Sequence, residues 1–363
     1  MSSKVALGSG SSSAIDSIAI GRNSLASGSD AISIGLASTC SNTDSVAIGH
    51  SASATSLQSV VVGSASSDSF QRQVLIGYQA SAVGDSSVSI GYQASAGSSS
   101  NAGNTVCVGT QAATSGDFSV SLGSSATCAS LYGCCMGFAT TANGYNSVAL
   151  GAGAFTASLG DVAIGANSVA TSTTVGGVAI GYAANAVADS TIGIGTSAAA
   201  GGNSSIVIGA SSNDGNFAQT IILAAGVTAV RANQMILGSQ NQGCQLVSTG
   251  TITTANGTPT TLYSFTVNSN TGSTVEFTIN ATLGANSKTA SYYGIFKANC
   301  NGVGTVTLSS ITNYTAIIDT PDLTGTAITA TTTGAGNISI QVTGLASTNI
   351  KWSGKLELTV QAY

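Results

Sequence analysis

The chain is poor in charge, and this scarcity argues against several classes of protein. Only 6% of its 363 residues are charged, and it has a single histidine. A formal charge of −5 with no basic patch argues against a nucleic-acid-binding protein. His50 directly follows a repeated glycine, and one histidine among many serines gives no support to a Ser-His-Asp triad. The sequence therefore predicts a non-enzymatic protein with no catalytic residues, no cofactor and no metal site.

Other absences narrow the fold. The sequence has no apolar run near the roughly 18 residues of a membrane helix, and it has no coiled-coil heptads. Met1–Lys4 passes directly into a repeat, so we expect no Sec-type signal peptide. The 7 Cys include no CxxC, which indicates neither a zinc site nor a paired disulfide framework. A hydrophobic content of 43% nevertheless predicts a folded chain.

In place of these features, the sequence has a fourteen-residue period. Ser17–Gly21, Ala31–Gly35 and Ser45–Gly49 show the unit, which recurs seventeen times up to about residue 240. The residues one and three places before each glycine are aliphatic with few exceptions, and they share a strand face because side chains alternate. Small residues three and five places after it, such as Ala52 and Ala54, predict a second short strand with a thin inward face.

Units of this kind stack into a parallel β-solenoid, which we expect over residues 1–240. A fourteen-residue coil encloses too little volume to bury both of its strand faces. We therefore expect side-by-side association in a homotrimer, with the small residues permitting close approach.

The repeat resembles the haemagglutinin-type head repeats of YadA-like trimeric autotransporter adhesins. Asp44–Gly49 and Asn146–Gly151, followed by small-residue spacers, carry this resemblance, which covers about residues 4–240. It implies a left-handed parallel β-roll trimer that holds a surface adhesin away from its base. The heptads of that family's stalk are missing from this sequence, and we expect no membrane insertion.

The period stops near residue 240. We expect a neck over 241–250 and an antiparallel β-sandwich over 251–363, jelly-roll or C1q-like, because runs such as Tyr263–Val267 and Val275–Ile279 alternate in polarity. This part resembles the C-terminal tips of phage and large-virus fibres. The residues that carry the resemblance are Thr251–Thr254, Thr258–Thr261, Tyr293–Lys297 and Ile350–Val360.

Aromatic rings can stack on sugars, and the sequence offers two sets of them. One set lies in the sandwich over 251–363, which we call the tip, and we predict that it binds a receptor glycan: Tyr292, Tyr314 and Trp352. The other lies beside repeated glycines of the solenoid over 1–240, which we call the shaft: Tyr78, Tyr92, Phe138 and Tyr182. The alternative interpretation places Trp352 in the core and the tyrosines at strand edges.

Acidic and sulfur side chains give weaker signals. Asp16, Asp30 and Asp44 should stack on successive coils, where Ca²⁺ would relieve their repulsion, but solvated turns are the favoured interpretation. Glu276 and Glu357 fall on outward strand positions, where they would aid solubility. The cysteines that share a repeat phase lie too many coils apart to pair, so we expect small buried side chains at Cys40, Cys107, Cys128 and Cys135.

Together these features predict a homotrimeric fibre or adhesin on a virion surface. Its partners would be a host glycan or protein receptor and other virion or surface proteins, with no nucleic acid. Two alternatives remain open: a fragment of a bacterial surface adhesin, and a polysaccharide-degrading tailspike.

Overall fold

The computed structural model describes residues 4–9, 11–97, 103–229, 232–239, 242–248, 252–267, 271–283, 288–301, 303–318, 323–334 and 336–362. Over these residues the protein is all-β, as predicted, and none of them forms a helix long and apolar enough to cross a membrane. The chain divides into two compact units, Met1–Ser197 and Ala198–Tyr363.

The first unit is a stack of coils, each built from a strand of three or four residues that ends before the repeated glycine and, in most coils, a two-residue strand after it. Its strands are β1 Lys4–Leu7, β2 Ser12–Ser13, β3 Ser17–Ile20, β4 Leu25–Ala26, β5 Ile32–Ile34, β6 Thr39–Cys40, β7 Val46–Ile48, β8 Ser53–Ala54, β9 Val60–Val62, β10 Val74–Ile76, β11 Ser81–Ala82, β12 Val88–Ile90, β13 Ser95–Ala96, β14 Val106–Val108, β15 Ala113–Thr114, β16 Val120–Leu122, β17 Thr127–Cys128, β18 Cys134–Met136, β19 Thr141–Ala142, β20 Val148–Leu150, β21 Phe155–Thr156, β22 Val162–Ile164, β23 Val169–Ala170, β24 Val178–Ile180, β25 Asn185–Ala186 and β26 Ile192–Ile194.

Neighbouring coils pair in parallel and in register with the repeat. Ile18 lies opposite Ile32, and Ile32 lies opposite Val46, so equivalent residues stack from coil to coil. The inserted residues 98–102 lie outside the described residues, yet β12 and β14 on either side of them keep the same register, with Val88 opposite Val106. The predicted parallel solenoid is therefore confirmed.

The interior of most coils is lined by small residues, although some coils bury a larger aliphatic residue there: Val61, Leu75, Val207, Ile222 and Ile236. The middle residue of the first strand points inward and is fully buried at Ala19, Ala47 and Cys107, whereas its two aliphatic neighbours are only half-buried. Alternation along a three-residue strand forces this choice, because the narrow interior has room for one small side chain and not for two large ones. The expectation that the small residues mediate contact between chains is therefore wrong; the aliphatic residues form the outward face.

Left-handed turns connect the strands. The residue five places before each repeated glycine and the residue two places after it commonly adopt positive φ without being glycine, as at Asp30 (59°), Arg72 (58°) and Gln79 (53°). Such a conformation costs an L-residue roughly 1–2 kcal/mol. In these coils it is held by backbone hydrogen bonds to the preceding coil, such as that from Arg72 N to Leu57 O at 2.9 Å.

A few coils carry a buried carboxylate. Asp161 accepts hydrogen bonds from Ser158 N at 2.8 Å, Ser172 Oγ at 2.6 Å and Gly177 N at 2.8 Å. Asp68 is 3% exposed and is likewise bound by backbone N–H groups. Because these donors satisfy the carboxylate oxygens, the acids can replace the usual small interior residue.

The second unit starts with coils of the same kind and then changes to antiparallel pairing. Its strands are β27 Ala199–Ala200, β28 Ile206–Ile208, β29 Ile221–Leu223, β30 Gln234–Ser239, β31 Gln242–Ser248, β32 Ile252–Thr254, β33 Thr260–Thr266, β34 Thr271–Leu283, β35 Lys288–Cys300, β36 Val306–Leu308, β37 Thr312–Ile318, β38 Ala327–Gly334, β39 Asn337–Thr343 and β40 Ile350–Ala362. The strands β28, β29 and β30 pair in parallel, whereas β30 pairs with β31 in antiparallel.

The switch falls between Ser239 and Gln242, close to the predicted end of the repeats. Residues 240, 241, 249 and 250 lie outside the described residues, while 242–248 form β31, so the neck over 241–250 and the tip boundary at 251 stay predictions.

Two antiparallel sheets enclose the core of this region. In the larger sheet β34 pairs with both β35 and β40, and in the smaller one β39 lies between β33 and β38. The core is filled from both sheets, by Tyr263, Phe265, Ile338 and Ile340 of the smaller and by Val275, Phe277, Ile279, Phe296, Trp352 and Leu356 of the larger. This arrangement agrees with the predicted antiparallel sandwich layout.

Candidate interaction surfaces

The outward face of the first strands is the largest apolar feature of the first unit. It consists of two columns, one and three residues before each repeated glycine, in which stacked β-branched and other aliphatic residues follow one another from coil to coil. The two columns are partly covered by their own neighbours, yet Ile76 and Met136 remain 38% and 44% exposed. We call this surface the aliphatic face. A continuous exposed apolar face of this kind marks a contact surface.

The predicted tip aromatics adjoin one another but differ in access. The ring centroids of Tyr292 lie 6.3 Å from Tyr314 and 5.9 Å from Trp352. Trp352 is fully buried and donates its indole N–H to Thr254 Oγ1 at 2.8 Å; Tyr292 is 1% exposed and bonds to Thr326. Both belong to the core, so no sugar can stack on them; the alternative interpretation is right for Trp352, whereas it placed Tyr292 at a strand edge. Tyr314, at 43%, is the exposed ring of the three.

Burial also acts on the hydroxyls of this group. It raises the pKa of Tyr292 and of Tyr314, and the hydrogen bond with Thr326 offsets part of the effect at Tyr292. Both hydroxyls therefore stay protonated at neutral pH and act as hydrogen-bond donors.

The shaft aromatics lie at turn edges, as predicted. Tyr78 and Tyr92 are about half exposed and stack with ring centroids 5.4 Å apart, and Phe138 and Tyr182 are also exposed. A second edge, formed by Phe118, Tyr132 and Tyr145, was not predicted. Its signal in the sequence is that Phe118 and Tyr132 hold the left-handed turn position of consecutive repeats, with Tyr145 one residue before that position in the next repeat.

No metal site emerges from the predicted acidic column. Asp16, Asp30 and Asp44 all occupy the left-handed turn position, with φ of 53°, 59° and 58°. Within the part of the chain that the structure describes, no three His, Cys, Asp or Glu side chains gather closely enough to hold a metal ion. His50 lies exposed in the neighbouring turn position after Gly49.

Two glutamates of the larger sheet face each other. Glu276 of β34 lies directly opposite Glu357 of β40, a pairing that sequence reasoning missed because the register of distant strands was unknown. Lys355 lies 3.5 Å from Glu357, and Tyr293 donates its hydroxyl to Glu276 at 3.5 Å. The adjoining cavity measures about 90 Å³, well below the roughly 300 Å³ at which small-ligand sites begin. Two carboxylates without a cleft do not form a glycosidase site.

A single exposed carboxylate of the first unit is strongly bound by its neighbours. Asp189 accepts hydrogen bonds from Thr174 Oγ1 and Thr174 N, both at 2.7 Å, and from Thr173 Oγ1 at 3.0 Å. These bonds, led by those from Thr174, lower the pKa of Asp189 to about 2. Asp189 therefore joins two coils and is ionised over the whole neutral range.

The described cysteines are free and, in the solenoid, mostly buried. Cys40, Cys107, Cys128 and Cys135 replace small interior residues, as predicted. Burial raises the pKa of Cys40 and of Cys107 to about 11. The thiol of Cys135 donates to Thr127 O at 3.0 Å, and its interaction with Cys128 lowers the pKa of Cys128 and raises that of Cys135, a proximity missed by comparing only residues of the same repeat phase.

Comparisons with known proteins agree with the repeat. The model of the YadA head domain repeat matches residues 12–38, 41–66, 76–94, 100–126 and 136–154. No curated protein sequence matches the chain. This match confirms the predicted resemblance to YadA head repeats within residues 12–154 and does not test the tip.

Solved structures align with the chain at low scores. A tailspike protein of Acinetobacter baumannii phage AM24 aligns at 10% identity over 96% of this chain and 62% of its own, with a TM-score of 0.23. The tailspike of bacteriophage Fri1, a capsular polysaccharide depolymerase, aligns at 11% identity over 95% and 63%, with a TM-score of 0.27. The collagen-binding domain of the Yersinia adhesin YadA aligns at 18% identity over 56% and 68%, with a TM-score of 0.15. The chain spans less than two thirds of either tailspike, and scores this low carry no weight for function.

Proposed function

Since the shaft is built of YadA head domain repeats, we propose that the chain is the subunit of a non-enzymatic homotrimeric fibre. The solenoid is its shaft, and the C-terminal antiparallel region presents a surface for attachment to a host receptor. We place this fibre on a virion surface, where it would meet a glycan or protein receptor and other virion proteins.

The aliphatic face is the observation that supports assembly. Each coil adds two aliphatic side chains to a surface that its own narrow interior cannot cover. Covering such side chains stabilises by about 25 cal/mol per Å² of apolar area removed from water. Because the face repeats along the whole first unit, many small contributions add up. Closed symmetry follows for identical chains, and the YadA-type repeat favours three.

The tip is the proposed site of attachment. Of the three predicted ring residues, Tyr314 has the exposure that stacking on a sugar requires. The non-repeating strands around it offer varied polar groups, which the shaft interior does not. A polysaccharide-degrading activity has only the facing Glu276 and Glu357 in its favour, and these lack a cleft.

Mass in solution tests the assembly. We expect light scattering on the full chain to give three times the chain mass of 35.2 kDa. Replacing outward Val148 and Val162 together by lysine should reduce the mass to that of one chain, because two charges would be buried at each contact. The matched control places lysine at the turn residues Ala139 and Asn167, which lie two coils apart, and should leave the trimer intact. A monomeric wild-type chain would contradict the proposal.

A further inference from the structure

A polar groove opens on the turn edge of the shaft between residues 42 and 85. It has a volume of about 310 Å³ and crosses four successive coils, a distance of about 14 Å at ~4.8 Å per coil. Leu57 and Phe70 contribute its apolar surface, and Asn42, Ser56, Gln71 and Asp85 contribute polar groups. The volume lies at the lower end of the range of small-ligand sites.

The groove adjoins one of two coils that depart from the repeat in the same way; in the other, Asp214 accepts hydrogen bonds from Gly201 N at 2.9 Å and Gly202 N at 2.8 Å. In regular coils the N–H six residues after the glycine bonds to a backbone carbonyl of the next coil, as from Ser41 N to Ala54 O at 3.0 Å. At Thr55 the carboxylate of Asp68 takes the place of that carbonyl and accepts Thr55 N at 2.6 Å and Ser56 N at 2.9 Å. The side chain occupies the position where most repeats carry a small residue such as Ala54.

A second buried side chain, that of Gln73, holds the backbone next to the lining residues Ser69 and Gln71 in place. Gln73 accepts a hydrogen bond from Ser69 N at 3.2 Å and donates to Ala82 O at 3.1 Å and Gly84 O at 2.8 Å. Gln71 N donates to Asp85 Oδ1 at 3.1 Å, which ties the lining to the following coil. The groove is therefore held by buried hydrogen bonds before any ligand arrives, which reduces the cost of binding.

The lining groups suit a hydroxyl-rich ligand. An apolar surface beside amide, hydroxyl and carboxylate groups can contact the C–H face of a sugar and bond its hydroxyls. Asn42 donates to Thr55 O, which leaves its carbonyl oxygen as an acceptor. Asp85 is half exposed and forms a 3.6 Å ion pair with Arg72 outside the lining.

The charge of the groove selects among sugars. Asp85 is the one charged residue of the lining, and the carboxylate of Asp68 lies just behind it. Arg72 pairs with Asp85 at 3.6 Å, and two carboxylates against one guanidinium leave an excess of negative charge at the groove, which disfavours an anionic ligand. We infer that this groove binds a neutral saccharide, making the shaft a second glycan-contacting surface; this inference rests on the proposed attachment function.

Saturation-transfer NMR on the full chain tests the inference with a defined panel: lactose, maltose, chitobiose, mannobiose and 3′-sialyllactose. We expect millimolar binding of at least one neutral disaccharide and at least tenfold weaker binding of sialyllactose than of lactose if lactose binds. Leu57→Ala and Asp85→Ala should each weaken binding by tenfold or more. Asp68→Ala, which restores the small residue of the repeat, should abolish binding while the solenoid stays folded.

Matched controls occupy the same repeat position in other coils. Leu159 and Asp189 lie six residues before their glycines, as do Leu57 and Asp85. Leu159→Ala and Asp189→Ala should leave binding within twofold of wild type. Binding that is lost in Tyr314→Ala but kept in Asp85→Ala would assign the sugar to the tip and overturn the groove. Lack of response from the whole panel, or equal loss in the controls, would also overturn it.

The mass of each variant separates this inference from the proposed function. A trimer that binds no panel sugar refutes the groove alone. A monomer that binds through Asp85 refutes the fibre assembly and keeps the groove.

Discussion

Replacing a repeated glycine should open the solenoid locally. Gly151 has a φ of 125°, in a region essentially restricted to glycine, and a Cβ built on it would lie 2.7 Å from the carbonyl oxygen of Gly165 in the next coil. The backbone conformation costs about 1–3 kcal/mol and the overpacking about 1–3 more. Gly151→Ala should therefore cost its coil about 2–6 kcal/mol.

Gly176→Ala provides the matched control. Gly176 has a φ of 57°, and a Cβ there would meet no atom within 4 Å, so only the left-handed conformation is penalised, by about 1–2 kcal/mol. The two variants share the chemical change and differ in the contact with the next coil. A difference between them therefore measures how tightly adjacent coils approach at the repeated glycine.

Hydrogen exchange read peptide by peptide is the suitable assay, because a repeat array need not unfold in one step. Amides of the coils around Gly151, among them the one that bonds Met136 O at 2.8 Å, should exchange at least about 30-fold faster in Gly151→Ala. Gly176→Ala should accelerate exchange in its own coil by about 5- to 30-fold, and by less than Gly151→Ala does. Equal effects at the two positions would refute the close approach of the coils.

Three further outcomes are expected. Because the pKa of Asp189 is lowered in the folded chain, the stability that its ionised carboxylate contributes is complete above pH 3.8 and is lost as pH falls towards about 2. Amide exchange near residue 174 should therefore accelerate between these pH values in wild type but not in Asp189→Asn. Thiol alkylation of Cys40 and Cys107 should be slow in the native chain, because a pKa of about 11 leaves each with roughly 100-fold less thiolate than an ordinary cysteine. Fast labelling without urea would contradict the burial of these thiols. Trp352→Phe should lower the free energy of unfolding by about 1–3 kcal/mol, and Thr254→Val should lower it by a similar amount, because each breaks the same buried hydrogen bond. Urea unfolding followed by circular dichroism measures this, and an unchanged midpoint in either variant would contradict the role of that hydrogen bond.

The solenoid could be predicted from the sequence because each repeat has the same local pattern of aliphatic residues before the repeated glycine position and small residues after it. All seventeen units have a strand before the marked position, from Leu7 to Leu237. Periodicity also showed that the two aliphatic positions share a face. It did not show that this face points outward, because that depends on the width of the coil interior, which appears only once the turns are in three dimensions.

The sites were harder to predict because they depend on departures from the rule. Trp352 and Tyr292 alternate like their neighbours, and only the pairing of distant strands shows that they are core. The groove adjoins Asp68, a carboxylate at a position that holds Asp214 in one other coil and Ser, Ala, Cys or Thr in the rest. A charged residue at an interior position of a repeat is therefore the available signal, although the sequence does not show that its partners are the N–H groups of Thr55 and Ser56.

The parallel register within the first unit has a mechanical consequence. Hydrogen bonds between coils, such as that from Gly77 N to Val62 O at 2.8 Å, run along the direction in which the coils stack. Tension along that direction loads these bonds coil by coil, so a single chain would unzip at low force instead of resisting in shear. The aliphatic face crosses every coil of this unit, and an assembled fibre would spread the same load over three chains at each level. The assembled fibre, and not the parallel strand pairing of a single chain, would then provide the resistance to extension.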